Sequence, residues 1–349
     1  MRFTDAAEVN LRWLLQPIDG LLSDPALTDL HINGAGPGMC FVDRGRGTER
    51  LTLPFTLTDL EDIAVNAAAL TQQDIAADVP LVSTRFPDGQ RVQIVRPPAV
   101  ADGQFAISVR RPKLHAGTPA DLAAGGVFSQ AVAQRRQPRR QRELLELYRA
   151  ERWQEFLTLA VTARLNIVFS GTVGSGKTHN MRAFTHAIPA SMRIVTIEDM
   201  PELIGLPHAN VVHLFYSKGG QSVAKVTAED LVEAALRMGM DGLLNQELRD
   251  EAAYAYLNAL ESGHWGMTTT HADSAGQARD RIRGLIKKHP AGRHLNDADL
   301  RTSLQRSIDV VVHCVHDKET GRRFIEQVLY DPEKKDGLAD THAFPMAAE

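Results

Sequence analysis

The sequence predicts an α/β protein, in which a domain with a twisted, mostly parallel sheet follows an α+β domain with an antiparallel sheet. Three observations support this fold class. A glycine-rich loop, Gly171–Thr178, lies between the apolar run Leu165–Ser170 and a helical segment. Later apolar runs each end at an acidic residue or a histidine, which is typical of a parallel sheet with its polar groups on one edge. The first third instead shows short strands separated by turn residues.

The α+β domain is predicted over residues 1–115. A helix at Ala6–Leu22 ends at Asp24-Pro25. A second helix begins at the capping-box pattern Thr58-Asp59-Leu60-Glu61 and extends to about Leu70. Six short strands are predicted around these helices: Leu30–Asn33, Met39–Val42, Arg50–Leu53, Leu81–Phe86, Arg91–Val95 and Phe105–Val109.

A linker with a basic segment is predicted over residues 116–150. Its arginines cluster around Pro138, at Arg135, Arg136, Arg139, Arg140 and Arg142. Clustered positive charge attracts anionic lipid head groups or nucleic acid. No aromatic residues interleave with the cluster, so a stacking platform for single strands is not predicted. A solvated linker surface is the favoured interpretation, and peripheral membrane contact is the alternative.

Composition narrows the function classes. The chain has 349 residues and a net charge of -4, which gives no overall attraction to nucleic acid, and no sequence-specific nucleic-acid binding is expected. Cys40 and Cys314 are far apart, as expected of reduced thiols in a cytoplasmic protein. The first residues lack a signal-peptide pattern, and no run reaches the roughly 18 apolar residues of a membrane span.

The glycine-rich loop reads G-x-x-x-x-G-K-T, the pattern of a phosphate-binding loop. Its glycines let the backbone N–H groups approach a polyphosphate, and the next helix directs its N-terminus at the anion. Lys177 carries the charge that reaches the β- and γ-phosphates, and Thr178 offers a hydroxyl to Mg²⁺. The predicted ligands are therefore ATP and Mg²⁺.

Three later strands are expected to bring polar groups to the same edge of the sheet. The predicted strand Arg193–Ile197 ends at Glu198, and Gly242–Gln246 is followed by Glu247. Trp265–Thr269 is followed two residues later by His271. A carboxylate there can orient the water that attacks the γ-phosphorus. Helices predicted in this part are Glu143–Arg149, Trp153–Thr162, Thr178–Ala187, Leu231–Met238, Asp250–Ser262 and Ser274–Lys288, and late strands are predicted at Ile308–Val315 and Arg323–Leu329.

Four motifs, in this order, resemble the secretion NTPase superfamily: GTVGSGKT, RIVTIEDMPEL, LRMGMDGLLNQELRDEA and SGHWGMTTTHADSA. The segments INGAG, RFPDGQRVQIVRPPA and FAISVRRP in the first part resemble the branch of traffic ATPases of type IV secretion and conjugation systems. The resemblance implies a homo-hexamer of RecA-like motor domains over residues 151–349, with the N-terminal domains as a second ring. It also implies ATP hydrolysis coupled to pilus assembly and substrate export, beside other apparatus subunits at the cytoplasmic face of the inner membrane.

The resemblance also implies roles for individual residues. Glu198 would polarise the attacking water, Glu247 would hold Mg²⁺ through water, and His271 would sense the γ-phosphate. Arg91 and Arg110 would reach the nucleotide from the N-terminal domain, although each taken alone is more often a surface arginine. The nucleotide contacts would come from Gly171, Thr172, Val173, Gly174, Ser175, Gly176, Lys177, Thr178 and His179.

The chain departs from the family pattern before Glu247. Asn245 and Gln246 stand where the family has apolar residues and a glycine, and Gly239-Met240 replaces the usual Arg-Pro. Gln cannot supply the close backbone approach of Gly. We therefore expect slow ATP hydrolysis, and we expect Gln246→Gly to accelerate it.

Three alternatives remain from the sequence. A catalytically weak ring that binds ATP and acts as a scaffold would explain the unusual stretch before Glu247. A pilus-retraction ATPase is compatible with two cysteines, whereas type II assembly ATPases usually carry a four-cysteine metal module. A nucleic-acid translocase is disfavoured by the acidic charge balance.

Overall fold

The predicted fold class is confirmed, with an antiparallel six-stranded sheet followed by a mostly parallel seven-stranded sheet. The computed structural model of the protein describes residues 3–45, 47–112, 118–129, 131, 139–217, 222–249 and 252–332. None of the helices in these ranges is both long enough and apolar enough to span a bilayer.

The first sheet has the strand order β3-β2-β1-β6-β5-β4, and its neighbours are all antiparallel. Every second side chain of the four central strands lies in one core with the helices Phe3–Leu15 and Leu57–Leu70, which pack against each other. Its strands are β1 (Asp29–Ile32), β2 (Cys40–Asp43), β3 (Thr48–Leu51), β4 (Leu81–Arg85), β5 (Arg91–Val95) and β6 (Ala106–Arg110). Its helices are α1 (Phe3–Leu15), α2 (Asp19–Leu22) and α3 (Leu57–Leu70).

Two predicted helix boundaries in this domain are wrong. The first helix does not continue to Leu22, because a 3₁₀ turn that contains Pro17 separates α1 from α2. The capping box of α3 begins at Thr56 rather than Thr58. The Thr56 hydroxyl accepts from the Asp59 N–H at 3.2 Å, and the Asp59 carboxylate accepts from the Thr56 N–H. This pair has the same three-residue spacing as Thr58 and Glu61, and Thr58 instead lies within the first turn.

The second sheet has the order β13-β12-β7-β11-β10-β8-β9, and only the edge strand β13 is antiparallel to its neighbour. Its strands are β7 (Ile167–Gly171), β8 (Ile194–Glu198), β9 (Val211–Phe215), β10 (Gly242–Asn245), β11 (Trp265–Thr270), β12 (Val310–His316) and β13 (Arg323–Tyr330). The remaining helices are α4 (Pro119–Ala124), α5 (Arg139–Arg149), α6 (Trp153–Thr162), α7 (Lys177–Phe184), α8 (Ala228–Leu236), α9 (Ala252–Glu261), α10 (Ala275–Ile286), α11 (Pro290–Arg293) and α12 (Asp297–Ser307).

Helix α5 packs on the second sheet although the sequence places it in the linker. Leu144 is buried in the same core as β7, and the Tyr148 hydroxyl donates to the Val328 carbonyl at 3.0 Å. The predicted domain limits at residues 115 and 150 stay predictions. Of the basic cluster, Arg135 and Arg136 lie outside the described residues.

A buried arginine joins the two sheets at the N-terminal edge of β8. Arg193 is 2% exposed, and its guanidinium donates to Asn33 Oδ1 at 2.9 Å and Ser108 Oγ at 3.2 Å in the first domain. The same guanidinium donates to the Met238 carbonyl at 2.9 Å and to Asn210 Oδ1. Burial lowers the pKa of Arg193 to about 9, so it remains charged at neutral pH. This cluster fixes the first domain against the end of the second sheet that is opposite the phosphate loop.

Candidate nucleotide site

The phosphate loop connects β7 to α7 and requires glycine at two positions where the backbone makes close contacts. A Cβ at Gly171 would lie 2.2 Å from the Cys314 carbonyl oxygen of the neighbouring strand. Gly176 caps α7 with a φ of 88°, in the left-handed region that favours glycine. The loop therefore folds back over the strand end, as the sequence predicts.

Two buried hydroxyls at this loop leave hydrogen-bonding capacity unused. Ser175 Oγ and Thr270 Oγ1 are buried and have no hydrogen-bond partner within the described residues. Ser175 lies in the loop, and Thr270 is paired in register with Ser170 at the end of β7. Buried hydroxyls normally have a partner. Phosphate oxygens in front of the α7 N-terminus would supply one, so the residues fit a bound polyphosphate.

A residue of the edge strand β13 also contacts the loop. Arg323, at the start of β13, donates from Nε to the Gly174 carbonyl at 2.7 Å. This contact directs the Gly174 carbonyl toward Arg323. The sequence analysis did not identify Arg323, since 149 residues separate the two partners.

The structure brings three predicted site residues together in a chain of contacts. Lys177 Nζ donates to the Thr172 carbonyl at 2.8 Å and lies 3.3 Å from His271 Nδ1. His271 Nε2 lies 3.2 Å from Glu247 Oε1. We assign the proton to Nε2, because Nδ1 then accepts from the lysine while Nε2 donates to the carboxylate. Lys177, His271 and Glu247 follow three different strands. Their contacts confirm that the ends of these strands lie at one edge of the sheet.

Burial perturbs all three groups. It raises the pKa of Glu247 to about 7, although the positive charge of Lys177 opposes this shift. Burial also lowers the pKa of Lys177, which disfavours the charged amine. The pKa of His271 is lowered by burial and then by Lys177, so the imidazole is neutral at pH 7. Perturbed groups that converge in a cleft are typical of a functional site.

Arg249 extends the contacts toward the loop that follows β8. Its Nη2 atom donates to Glu247 Oε2, while its Nη1 atom lies 3.2 Å from Asp199 Oδ2. Both oxygens of Glu247 are therefore engaged, one by His271 and one by Arg249. The sequence analysis did not single out Arg249, although an arginine two residues after the predicted acid is a signal that could have identified it.

Glu198 lies at the end of β8 but faces a different set of groups. It is fully buried, and Oε1 accepts from the Thr196 hydroxyl at 2.6 Å and lies 2.9 Å from His213 Nδ1. Its Oε2 accepts from the Leu203 N–H at 2.7 Å. Its predicted role on the attacking water is not tested by these contacts and stays a prediction.

Arg91 and Arg110 are paired in register on β5 and β6, and both are exposed. Arg110 Nε donates to Asp29 Oδ1 at 3.0 Å. That same carboxylate oxygen lies 3.5 Å from where a Cβ would stand at Gly239, just before β10 begins. These arginines therefore lie near the N-terminal edge of the parallel sheet. Among the described residues, no hydrogen bond or ion pair joins them to the phosphate loop, which is at the opposite edge.

An open cavity of about 580 Å³ adjoins the loop. Such a volume is within the usual range for small-ligand sites. Thr172, Val173 and His271 line it on one side, and Gln277 and Arg281 of α10 line it on the other. Thr178 is half-buried in the first turn of α7, and the predicted nucleotide contact His179 is exposed.

Comparisons with known proteins agree with this arrangement. The family described as Type II/IV secretion system protein matches residues 55–342. The VirB11 protein of the type IV secretion system of Brucella suis is 37% identical over 347 residues, covering 97% of this chain and 94% of the relative. The Rhizobium radiobacter VirB11 protein is 36% identical over 307 residues, covering 86% of this chain and 89% of the relative.

The structural comparison gives the same result. The crystal structure of the Brucella suis VirB11 ATPase in complex with sulphate superposes with a TM-score of 0.90, at 34% identity. The superposition covers 96% of this chain and 98% of that one. The chain therefore belongs to the VirB11 family of type IV secretion ATPases.

Proposed function

We propose that the chain is an ATP-hydrolysing motor that works as a homo-hexameric ring and drives pilus assembly and substrate export in a type IV secretion or conjugation system. The observation that supports hydrolysis is the continuous set of contacts from Lys177 through His271 to Glu247 beside the phosphate loop. Family membership supports a peripheral position at the cytoplasmic face of the inner membrane, beside other subunits of the apparatus.

The phosphate loop binds the β- and γ-phosphates of ATP. The unpartnered hydroxyls of Ser175 and Thr270 mark where polar contacts are missing in the free chain. Lys177 exchanges the Thr172 carbonyl for phosphate oxygens when ATP binds. Because burial already disfavours its charge, the lysine gains more from a dianionic partner than from a neutral carbonyl.

Thr178 and Glu247 would hold Mg²⁺, the hydroxyl directly and the carboxylate through water. Oxygen ligands of this kind suit a hard divalent cation. Bound Mg²⁺ would supply positive charge that offsets the negative charge developing during phosphoryl transfer. A metal-bound water would share the Glu247 carboxylate with His271 and Arg249 or exchange with one of them, because each already contacts one carboxylate oxygen. We propose that this exchange makes turnover slow.

Glu198 is the proposed group that polarises the attacking water. Its carboxylate is held by Thr196, His213 and Leu203, so it would act on water only after one of these contacts is released. The fixed position of the carboxylate is compatible with a general base, for which geometry matters before pKa.

Arg91 and Arg110 are proposed to act on the nucleotide of another copy of the chain. Both guanidinium groups are exposed near the sheet edge opposite the loop of their own chain. Arginines delivered in this way stabilise charge on the transferring phosphoryl group. A site completed by a neighbour would make hydrolysis depend on assembly.

A second candidate function is an ATP-binding scaffold ring with little turnover. The observation that favours it is that Arg249 and His271 contact the two carboxylate oxygens of Glu247. Binding of ATP would then fix the ring without hydrolysis.

Steady-state ATP hydrolysis by the purified protein, across concentrations that span assembly, separates the two functions. Lys177→Ala removes the phosphate contact, and the exposed Lys225→Ala is the matched control. Hydrolysis that rises with assembly, is lost in Lys177→Ala and persists in Lys225→Ala supports the motor. ATP binding without turnover at any concentration supports the scaffold.

A further inference from the structure

We infer that Gln246 is a positioning residue for ATP hydrolysis, whose carboxamide fixes the loop after β8 so that Asp199 and Glu247 keep a set separation. This inference rests on the proposed function. Family resemblance gives Gln246 no role, because a glycine usually stands at its position.

The side chain of Gln246 connects two neighbouring strand ends. Gln246 is 6% exposed, and its Oε1 accepts from the backbone N–H groups of Asp199 at 3.0 Å and Met200 at 3.3 Å. One carboxamide oxygen therefore holds two consecutive N–H groups of the loop that begins immediately after Glu198. A glycine has no atom that can make either contact.

The backbone of Gln246 is anchored as well. Its N–H donates to the Ile197 carbonyl at 2.9 Å, and its carbonyl accepts from the Thr269 hydroxyl at 2.8 Å. These bonds tie the residue to β8 on one side and to β11 on the other. The carboxamide therefore projects from a fixed point, which allows it to set the position of the loop.

The fixed loop reaches the catalytic carboxylate through two ionic contacts. Asp199, whose N–H is held by Gln246, contacts Arg249 through its carboxylate at 3.2 Å. Arg249 in turn donates to Glu247. Loss of the carboxamide would release Asp199, and Arg249 would then no longer be held between two fixed carboxylates. As a consequence, the carboxylate of Glu247 would lose its fixed position.

This view reverses the effect that the sequence predicts for Gln246→Gly. The sequence predicts faster hydrolysis on the premise that this position needs the close backbone approach that glycine allows. Non-glycine residues with positive φ in the described ranges are Gln72, Glu151 and Arg164, and Gln246 is not among them. Gln246 therefore has no left-handed backbone conformation that would favour glycine, and removal of its side chain costs two hydrogen bonds. We expect Gln246→Gly to slow hydrolysis.

The test compares variants of the full-length protein under conditions in which it assembles. Gln246→Met keeps the size of the side chain and removes the acceptor, whereas Gln246→Glu keeps an oxygen that can accept both N–H groups. The exposed Gln104→Met is the matched control. ATP turnover gives kcat and KM, and amide hydrogen exchange reports on Asp199 and Met200 in the absence of nucleotide.

We expect Gln246→Met to lower kcat about tenfold with little change in KM, because the lost bonds position the acids rather than bind the phosphates. The Asp199 and Met200 amides should exchange at least about tenfold faster, while the protection of β7 is unchanged. Gln246→Glu should retain the slow exchange and have a higher kcat than Gln246→Met. Gln104→Met should match the parent protein in both measurements.

Two results would overturn the inference. Unchanged exchange at Asp199 and Met200 in Gln246→Met would show that the carboxamide does not hold the loop. Faster exchange with an unchanged kcat would show that the hold has no effect on hydrolysis. A parent protein that hydrolyses no ATP would instead defeat the proposed function on which the inference rests, and the exchange measurement separates that failure from the other two.

Discussion

Two buried cations lie at opposite edges of the parallel sheet and have very different surroundings. Arg193, at the N-terminal edge, donates to four oxygen acceptors drawn from both domains. Lys177, at the C-terminal edge, has one carbonyl and one imidazole nitrogen beside it, and unpartnered hydroxyls lie nearby. All the contacts of the Arg193 guanidinium are to protein oxygens and join the domains, whereas the buried hydroxyls of Ser175 and Thr270 near Lys177 have hydrogen-bonding capacity left for a ligand.

Removal of the lysine should have the largest effect and should act on function alone. Lys177→Ala is expected to lower ATP turnover by about 10³-fold, because an electrostatic contact to the transferring phosphate is lost. The unfolding temperature should not fall, since the charge is already disfavoured by burial. A calorimetric scan beside the ATPase assay checks both expectations. If Lys177→Ala lost as much stability as an Arg193 variant, the two residues would not differ in their structural roles.

Removal of the arginine should act on stability instead. Arg193→Met leaves the buried Asn33 Oδ1 without its donor and removes one of the two donors to Asn210 Oδ1, which should cost about 3 kcal/mol of unfolding free energy. Denaturant unfolding measures the loss, with the exposed Arg237→Met as the control. An unchanged unfolding midpoint for Arg193→Met would show that this cluster does not hold the domains together.

The buried carboxylate of Glu198 combines features of both regions. It lies at the same edge of the sheet as Lys177, but both of its oxygens have hydrogen-bond partners in the protein. Glu198→Gln should lower kcat about 10²-fold if the carboxylate activates water. The amide oxygen can still accept from the Leu203 N–H, so the fold should be retained. Turnover and circular dichroism measured on one preparation are sufficient, and full activity in this variant would confine Glu198 to a structural role.

The smallest expected effect is a change in the pH dependence of stability. The pKa of Glu247 is about 7 in the folded protein, above its ordinary value, because burial disfavours the carboxylate. The folded state therefore keeps this proton to higher pH than the unfolded state, and stability falls as pH rises toward and through 7. Gln at this position cannot titrate.

In nucleotide-free protein, Glu247→Gln should therefore raise the unfolding temperature by a few degrees at pH 8 and have little effect at pH 5. Thermal scans at the two pH values measure the difference. Glu233→Gln, at an exposed position, should show no such dependence. An equal effect of Glu247→Gln at both pH values would mean that Glu247 titrates normally.

Much of the catalytic edge could be predicted from the sequence because it follows from short-range patterns. The phosphate loop has a fixed spacing, and Glu247 and His271 each follow an apolar run. Since parallel strands end at one edge, the sequence also predicts that these residues meet, and the contact of 3.2 Å confirms it.

The Arg193 contacts at the N-terminal edge of the parallel sheet could not be predicted, because they join residues that are remote in sequence. Arg193 and Asn33 are 160 positions apart. Nothing local identifies Arg193 as buried, since an arginine is usually exposed. The sequence analysis missed strand β9, because only two of its five side chains are buried. It also missed helix α12, which buries only three residues, Leu300, Leu304 and Ser307. The contacts of the Gln246 side chain could not be predicted, because the family pattern addresses the backbone at this position.

We propose that Arg91 and Arg110 of another copy of the chain complete the phosphate-loop edge. Mixing two inactive variants, Lys177→Ala and Arg110→Ala, tests it most directly, with ATP turnover measured as a function of their ratio. The account predicts that the mixture hydrolyses ATP although neither variant does alone, because an intact loop then meets an intact arginine from the neighbouring chain. A mixture as inactive as its components, in rings shown to contain both variants, would contradict the account.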